Sequence, residues 1–443
     1  RYDAYGNVDS YKETVNNSAN FETTYAYDVE NRPTQLRYGA DNRKVNYIYD
    51  AIGRIATRAA NSMQTSYLTT YQYLAPENGD SIQTTPLVQS ITQNGQNFSY
   101  TYDNVGNISS ETRNGLTTTY EYDSLGQLTR VNDPHAGKST MYLYDCGGNM
   151  TGYLSAPYTL APTLEGVNET VFYTYGDSNW KDKVTAIGGK AITYDAIGNP
   201  LTYDGWTFTW KAGRMLASMV KTGTNAQFTY DHNGMRIRKI VNGVTTNYTL
   251  NGKNVVHMTQ GSHDLHFFYD AQNKPAIVEF NGAAYAYLYN QQDNIIGLVD
   301  NAGVQVVSYS YDAWGKIINT TGSLANTLGK LNPFKYRGYI YDEETGLYYL
   351  RSRYYNPDLC RFINADDVES MGADGDINGY QLFIYCMNDP VNLKDEAGSW
   401  SLPNWAKVAI GAALIVGAAV VATVATGGVA CFAAGAALAR QRG

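Results

Sequence analysis

A surplus of positive charge is missing from this 443-residue sequence, in which 33 Lys and Arg face 41 Asp and Glu for a formal charge of −8. Nucleic acid is therefore not expected among the partners, because DNA and RNA binding leaves basic stripes. Cysteine is scarce: Cys146, Cys360, Cys386 and Cys431 lie far apart with no C-x-x-C pair. That excludes a dense disulfide framework, which a chain of this length does not need, and leaves buried or free thiols. Metal and cofactor sites are not expected. Of the five histidines, His135, His232, His257, His263 and His266, only the "HDLH" of His263 to His266 is suggestive. Three apart in a strand, those two rings point to opposite faces, and no third ligand is evident. "GGK", Gly188 to Lys190, lacks the rest of a phosphate loop and reads as a hairpin turn. "GADGDING", Gly372 to Gly379, alternates acids like a calcium loop but has no twelfth-position Glu, and reads as a solvated loop. Position 1 is Arg rather than Met, inside the pattern "RYDAYGNV". The chain reads as a fragment of a longer protein, so a missing signal peptide says nothing about secretion.

Tyrosine is abundant: 40 residues against 12 Phe and 6 Trp, with 42 Gly beside them, a mixture that suits strands broken by tight turns. The tyrosines fall in an internal repeat. "YAYDVENRP" at Tyr27, "YIYDAIGRI" at Tyr49, "YTYDNVGNI" at Tyr102, "YEYDSLGQL" at Tyr122 and "YLYDCGGNM" at Tyr144 share one form with five later copies, at Tyr194, Tyr230, Tyr269, Tyr311 and Tyr341. That form is aromatic-x-Tyr-Asp-x-x-Gly-(Arg/Asn), with Asn31 and Asn273 in the glycine position of two copies. A spacing of roughly twenty residues accommodates two strands at ~3.3 Å per residue and two turns. Within each unit, alternation puts both tyrosines of Y-x-Y on one sheet face, with a hydroxyl left for a partner. Asp starts the turn by accepting from its own downstream backbone, and Gly supplies positive φ. The expected fold is all-β, built from hairpins.

These ten copies resemble the YD-repeat (RHS) family, over about residues 1 to 398. The resemblance implies hairpins wound into a spiral, hollow β-shell, as in bacterial RHS and wall-associated toxins, the C subunit of insecticidal toxin complexes, and animal teneurins. A wall wetted on both sides would suit tyrosine, which tolerates apolar neighbours and water alike. "YRGYIYDEETGLYYLRSRYYNPDLCRFINAD", Tyr336 to Asp366, resembles the RHS repeat-associated core, with Cys360 where the family commonly has Gly. "YQLFIYCMNDPVNLKDEAG" resembles its closing segment, with Asn388, Pro390, Asp395 and Gly398 on motif positions. The resemblance implies an intramolecular aspartyl protease that cuts just past Gly398. Asp366 and Asp395 match its acidic positions, and Arg351 or Arg353 its arginine. One carboxylate would act as base toward water and the other, protonated, as acid. Asp366 is followed by Asp367 rather than Pro, and Asp395 by Glu396, so a second reading stays open: turn acids that pair with nearby arginines inside a plug.

After Gly398 the composition changes. Val408 to Ala439 carries no charge and is flanked by Lys407, Arg440 and Arg442. An α-helical apolar segment is expected, either a transmembrane span, a helical hairpin bent at "ATGG", or a helix packed in the shell ahead of a toxin domain. The expected divisions are residues 1–335 for the shell, 336–398 for the core and 399–443 for the apolar segment. The implied function is to encapsulate and deliver a C-terminal toxin from a secreted or cell-surface protein. Its partners would be that toxin domain, an immunity protein for it, and a membrane met by residues 408–439. The alternative is a surface adhesion or carbohydrate-binding protein whose tyrosines stack on glycans.

Overall fold

A computed structural model describes residues 1–15, 19–39, 43–62, 66–75, 85–93, 95–367, 381–399 and 401–403. The expected apolar span at 408–439 and the loop at 372–379 lie outside the described residues. Among the described residues no helix is long and apolar enough to cross a membrane.

Twenty-nine strands, from Ser10–Val15 to Ile317–Thr321, form one antiparallel meander among the described residues, each pairing with the next in sequence. The hairpin turns follow from the repeat. Asp50 Oδ1 accepts from the N–H groups of Ile52 (3.1 Å) and Arg54 (2.9 Å), the Asp50 N–H donates to Arg54 O (2.8 Å), and Gly53 sits at φ +86°. The same pair of acceptances recurs at Asp28, Asp103, Asp123, Asp145, Asp195, Asp231, Asp270 and Asp312. Asn31 and Asn273 take the glycine's place at φ +60°, a conformation asparagine tolerates. Asp3, in the opening "RYDAYGNV", makes the same turn, and two further copies escape the sequence pattern: Asp300 and Asn290, the last offering an amide oxygen to Gln292 and Asn294.

Eight of the ten YD tyrosines, and Tyr73 in a position that lacks the Asp, donate to a backbone carbonyl in the same way. Tyr49 Oη donates to Pro33 O (2.8 Å), Tyr73 to Ile55 O (2.9 Å), Tyr122 to Ile108 O (2.8 Å), Tyr144 to Leu128 O (2.8 Å) and Tyr311 to Ile295 O (2.7 Å). The acceptor is the residue that opens the strand after an earlier turn, so each hydroxyl ties its own turn to the one before. Register slips by one residue just before these tyrosines, at Ile48/Tyr49, Thr101/Tyr102, Glu121/Tyr122 and Leu143/Tyr144. A bulge at every repeat adds twist and bends the ribbon always the same way, which is what coils it.

The coil overlaps itself. Leu36, Tyr38, Val45, Tyr47 and Ala60 bury their side chains against Phe268, Ala276, Ile277, Ala284 and Ala286. Tyr38 Oη donates to Tyr269 O (2.8 Å), and Tyr47 Oη accepts from Ala271 N (3.3 Å). A buried Arg58–Asp270 pair at 3.3 Å fastens the same overlap. Inside the curve lie residues 336–367 and 381–399, which include a four-stranded sheet of Ile340–Asp342, Leu347–Tyr349, Tyr354–Asn356 and Arg361–Phe362. Wall residues far apart in sequence meet this one segment: Asn388 Nδ2 donates to Gln127 Oε1 (2.8 Å) and Gly148 O (2.7 Å), and Asn392 Oδ1 accepts from Ile108 N (2.8 Å). Tyr348 and Tyr355 donate to Gly315 O (2.7 Å) and Trp314 O (2.6 Å).

Three expectations are corrected. The inward tyrosines are not wetted here: Tyr100, Tyr142, Tyr173 and Tyr309 are buried against the inner segment or the opposite wall. Tyr341-Asp342 does not make the Asx turn of the other copies. Gly346 stands four residues after Asp342, its N–H bonds Asp342 O (2.8 Å), and the longer turn frees the carboxylate for Arg236. Finally, the segment expected to be helical after Gly398 begins as a strand, because Ser401–Pro403 pairs antiparallel with Leu393–Asp395, giving those backbones a ladder in place of a helix.

Candidate functional site: an arginine shared by a carbonyl and two carboxylates

The strands Leu347–Tyr349 and Tyr354–Asn356 form a hairpin, with Tyr349 opposite Tyr354. Its loop, residues 350–353, closes through Leu350 N to Arg353 O (3.0 Å) and takes Arg351 to φ +67°. A left-handed residue that is not glycine costs about 1–2 kcal/mol and persists only where surroundings fix it. The kink sends Arg351 outward, where Nη1 donates to Glu396 O (3.2 Å), and turns Arg353 into the core.

Arg353 is 4% exposed, and its Cζ stands 3.6 Å from the centre of the Phe362 ring. Nη1 donates to Leu382 O (3.0 Å), and Nη2 meets Asp366 Oδ2 at 3.0 Å and Asp395 Oδ2 at 3.4 Å. Nε donates to Gly398 O. Burial pulls the guanidinium below the ordinary arginine range, and the charges of Asp366 and Asp395 oppose that pull. Such a group stays charged at neutral pH. Sequence alone leaves Arg351 and Arg353 equivalent; the geometry joins Arg353 to both aspartates and Arg351 to a neighbouring carbonyl.

Asp395, 1% exposed, anchors the approach of the closing segment. Its Oδ1 accepts from Ala397 N (3.2 Å), Gly398 N (2.7 Å) and Ser399 N (3.1 Å), and its own N–H donates to Tyr339 Oη (3.1 Å). Asp366 is placed by its N–H on Leu382 O (2.7 Å). Gly398 is held at φ +77°, and an added Cβ would lie 2.7 Å from Ser352 Oγ and 2.8 Å from Leu350 O, so no larger residue fits there without movement. Of the residues singled out in sequence, Arg353 and Asp395 thus both bond the Gly398 region directly, and Asp366 joins them through Arg353. Ser352, absent from the sequence-based set, joins them: its Oγ lies 2.8 Å from Gly398 O. No sequence signal marks it.

The fold is a coiled antiparallel ribbon closed by its own C-terminal segment. The Teneurin YD-shell family matches residues 1–153 and 97–391, and the chain belongs to that family. It is 34% identical over 278 residues to the tRNA nuclease WapA of Bacillus subtilis (strain 168), a match covering 61% of this chain and 11% of that protein. It is 25% identical over 430 residues to toxin subunit YenC1 of Yersinia entomophaga, covering 85% of this chain and 40% of that one. Among solved structures it shares its fold with the Photorhabdus luminescens Tc holotoxin pore carrying a TccC3 mutation: TM-score 0.59, 17% identity, 86% of this chain and 21% of the other. The chain spans only about a tenth of the length of the WapA relatives, 11% of the one just described.

Proposed function

We propose that this chain is the terminal part of an RHS-type toxin shell, which encloses a C-terminal toxin and releases it by cutting its own backbone after Gly398. Residues 1–335 would be wall, 336–398 the plug and processing centre, and the chain beyond Gly398 the lead into the cargo. An immunity protein against that cargo and a secreted or surface location belong to the same reading. Family membership and the toxin and nuclease names of the relatives support it. The observation that carries it is the Gly398–Ser399 peptide, whose carbonyl accepts from Arg353 Nε while its nitrogen lies 3.1 Å from an aspartate paired to the same arginine.

The chemistry follows from that arrangement. Arg353 withdraws electrons from the Gly398 carbonyl and holds both carboxylates on one guanidinium nitrogen. One aspartate, as carboxylate, takes a proton from a water whose oxygen bonds to the Gly398 carbon. The other, protonated, gives its proton to the Ser399 nitrogen as the C–N bond breaks. The products are a Gly398 carboxylate and a Ser399 amine, and the water supplies both missing atoms. Ser352 and Ser399 are exposed, so solvent reaches one side of the bond.

Intact mass of the full chain beside its Asp395→Asn and Asp366→Asn variants tests this. A wild-type species ending at Gly398 and absent from both variants is expected. Full-length mass in all three would refute self-processing and leave the aspartates as structural partners of Arg353.

A further inference from the structure

We infer that Ser352 is the second donor of an oxyanion hole for the Gly398 carbonyl, completing with Arg353 the site from which the chain is cut. The inference rests on the self-processing reading above and adds to it a residue that neither the aspartates nor the arginine implies.

The geometry is specific. Ser352 Oγ lies 2.7 Å from Ala397 O and 2.8 Å from Gly398 O. A hydroxyl has one proton to give, so only one of the two carbonyls receives it at a time. Each carbonyl already accepts one other bond, Ala397 O from the Ser352 N–H at 3.2 Å and Gly398 O from Arg353, so the resting hydroxyl can serve either, and negative charge developing on Gly398 O would draw it there. Arg353 Nε donates to that same oxygen. Gly398 O therefore faces two donors, one guanidinium N–H and one hydroxyl, on consecutive residues of one loop.

Such a pair does little for a resting amide and much for a tetrahedral intermediate. As water adds to the Gly398 carbon, its carbonyl oxygen takes up negative charge, and preorganised donors aimed at it gain strength without moving. The loop is preorganised: two strands hold its ends, the left-handed Arg351 fixes its kink, and Ser352 N bonds Leu350 O at 2.9 Å. Nucleophilic attack by Ser352 itself is less well served, because its oxygen sits at hydrogen-bond distance from the carbonyl oxygen, in line to donate. A purely structural role is also ill-matched: the side chain is exposed and buries little, and Arg353 alone already satisfies the Gly398 oxygen.

The test is a time course of intact mass on the full chain made by cell-free synthesis, comparing wild type with Ser352→Ala and Ser352→Thr. Removing one oxyanion donor costs on the order of 100-fold in rate, so Ser352→Ala is expected to be processed about 100-fold more slowly, with an unchanged melting temperature. Ser352→Thr, which keeps the hydroxyl, is expected to retain most of the rate, which a packing role would not predict. Wild-type processing together with a Ser352→Ala rate within about twofold of it would overturn this inference while leaving the aspartyl reading intact. An ester-linked intermediate on Ser352 would also overturn it, since the hydroxyl would then be the nucleophile. No processing in the wild type would remove both readings at once.

Discussion

Removing the carboxylate of Asp342 should loosen the inner segment from the wall more than any surface change. Asp342 is fully buried, and its carboxylate receives Arg236 in bidentate fashion, Nη1 at 2.6 Å and Nη2 at 3.1 Å, with Lys239 Nζ 3.1 Å away. Arg236 is stacked near the Tyr349 ring at 4.6 Å, with Phe228 and Tyr248 beside it, so water cannot replace the lost partner. Lys239 keeps Glu344 at 2.7 Å, and only the arginine is stranded. Breaking a buried pair from one side costs about 3–5 kcal/mol, and Asp342→Ala is expected to lose that much, read from urea unfolding at pH 7. The double variant Arg236→Met/Asp342→Leu should recover most of it, because the uncompensated charge is gone. The two cations hold the Asp342 pKa below its ordinary value against the effect of burial. A depressed carboxylate stabilises the fold above its unfolded pKa and loses that contribution as pH falls through the folded one. The gap between wild type and Asp342→Ala should therefore close below about pH 4. A single-variant loss under ~1 kcal/mol, the range of exposed pairs, would refute the reasoning.

Tyr122→Phe deletes a hydroxyl bond to Ile108 O and keeps the ring, so a loss of about 1 kcal/mol in urea unfolding is expected. Gly315→Ala puts a Cβ 2.5 Å from the Tyr336 ring at φ +88°, and about 2–4 kcal/mol of destabilisation should appear in the same assay. Burial pushes Asp389 from 3.8 to about 7, so between those values the folded state alone holds the proton and stability falls as pH rises. Asp389→Asn should flatten that slope, measured as the melting temperature from pH 4 to pH 8. Arg353→Lys keeps the charge but not the fork that reaches both carboxylates and Gly398 O, and intact mass should remain full-length over the period in which wild type is processed.

Local chemistry was legible in the sequence, and long-range pairing was not. The Asp acceptance, the positive φ of Gly or Asn and the shared face of Y-x-Y are set by neighbours within four residues, so the repeat could be read directly. Asn290 was missed because an amide oxygen does the turn's work as well as a carboxylate, and Asp342 was misassigned because one extra turn residue redirects its side chain. Asp366 and Asp395 were located through the family resemblance. Choosing Arg353 over Arg351 needed the left-handed kink, which depends on Tyr349 pairing with Tyr354 and on the segment around Gly398. The overlap of Tyr38 on Tyr269, 231 residues apart, has no sequence signature.

That overlap has a consequence for how the protein is made. A ribosome releases Leu36, Tyr38 and Val45 long before Phe268 and Ile277 exist to cover them. The early hairpins can zip as they emerge, since each pairs with its immediate successor, but one apolar face must wait uncovered through the 231 residues that separate Tyr38 from Tyr269. Growth of the ribbon is sequential, while closure is a late event that brings the strands around Tyr38 and Phe268 together.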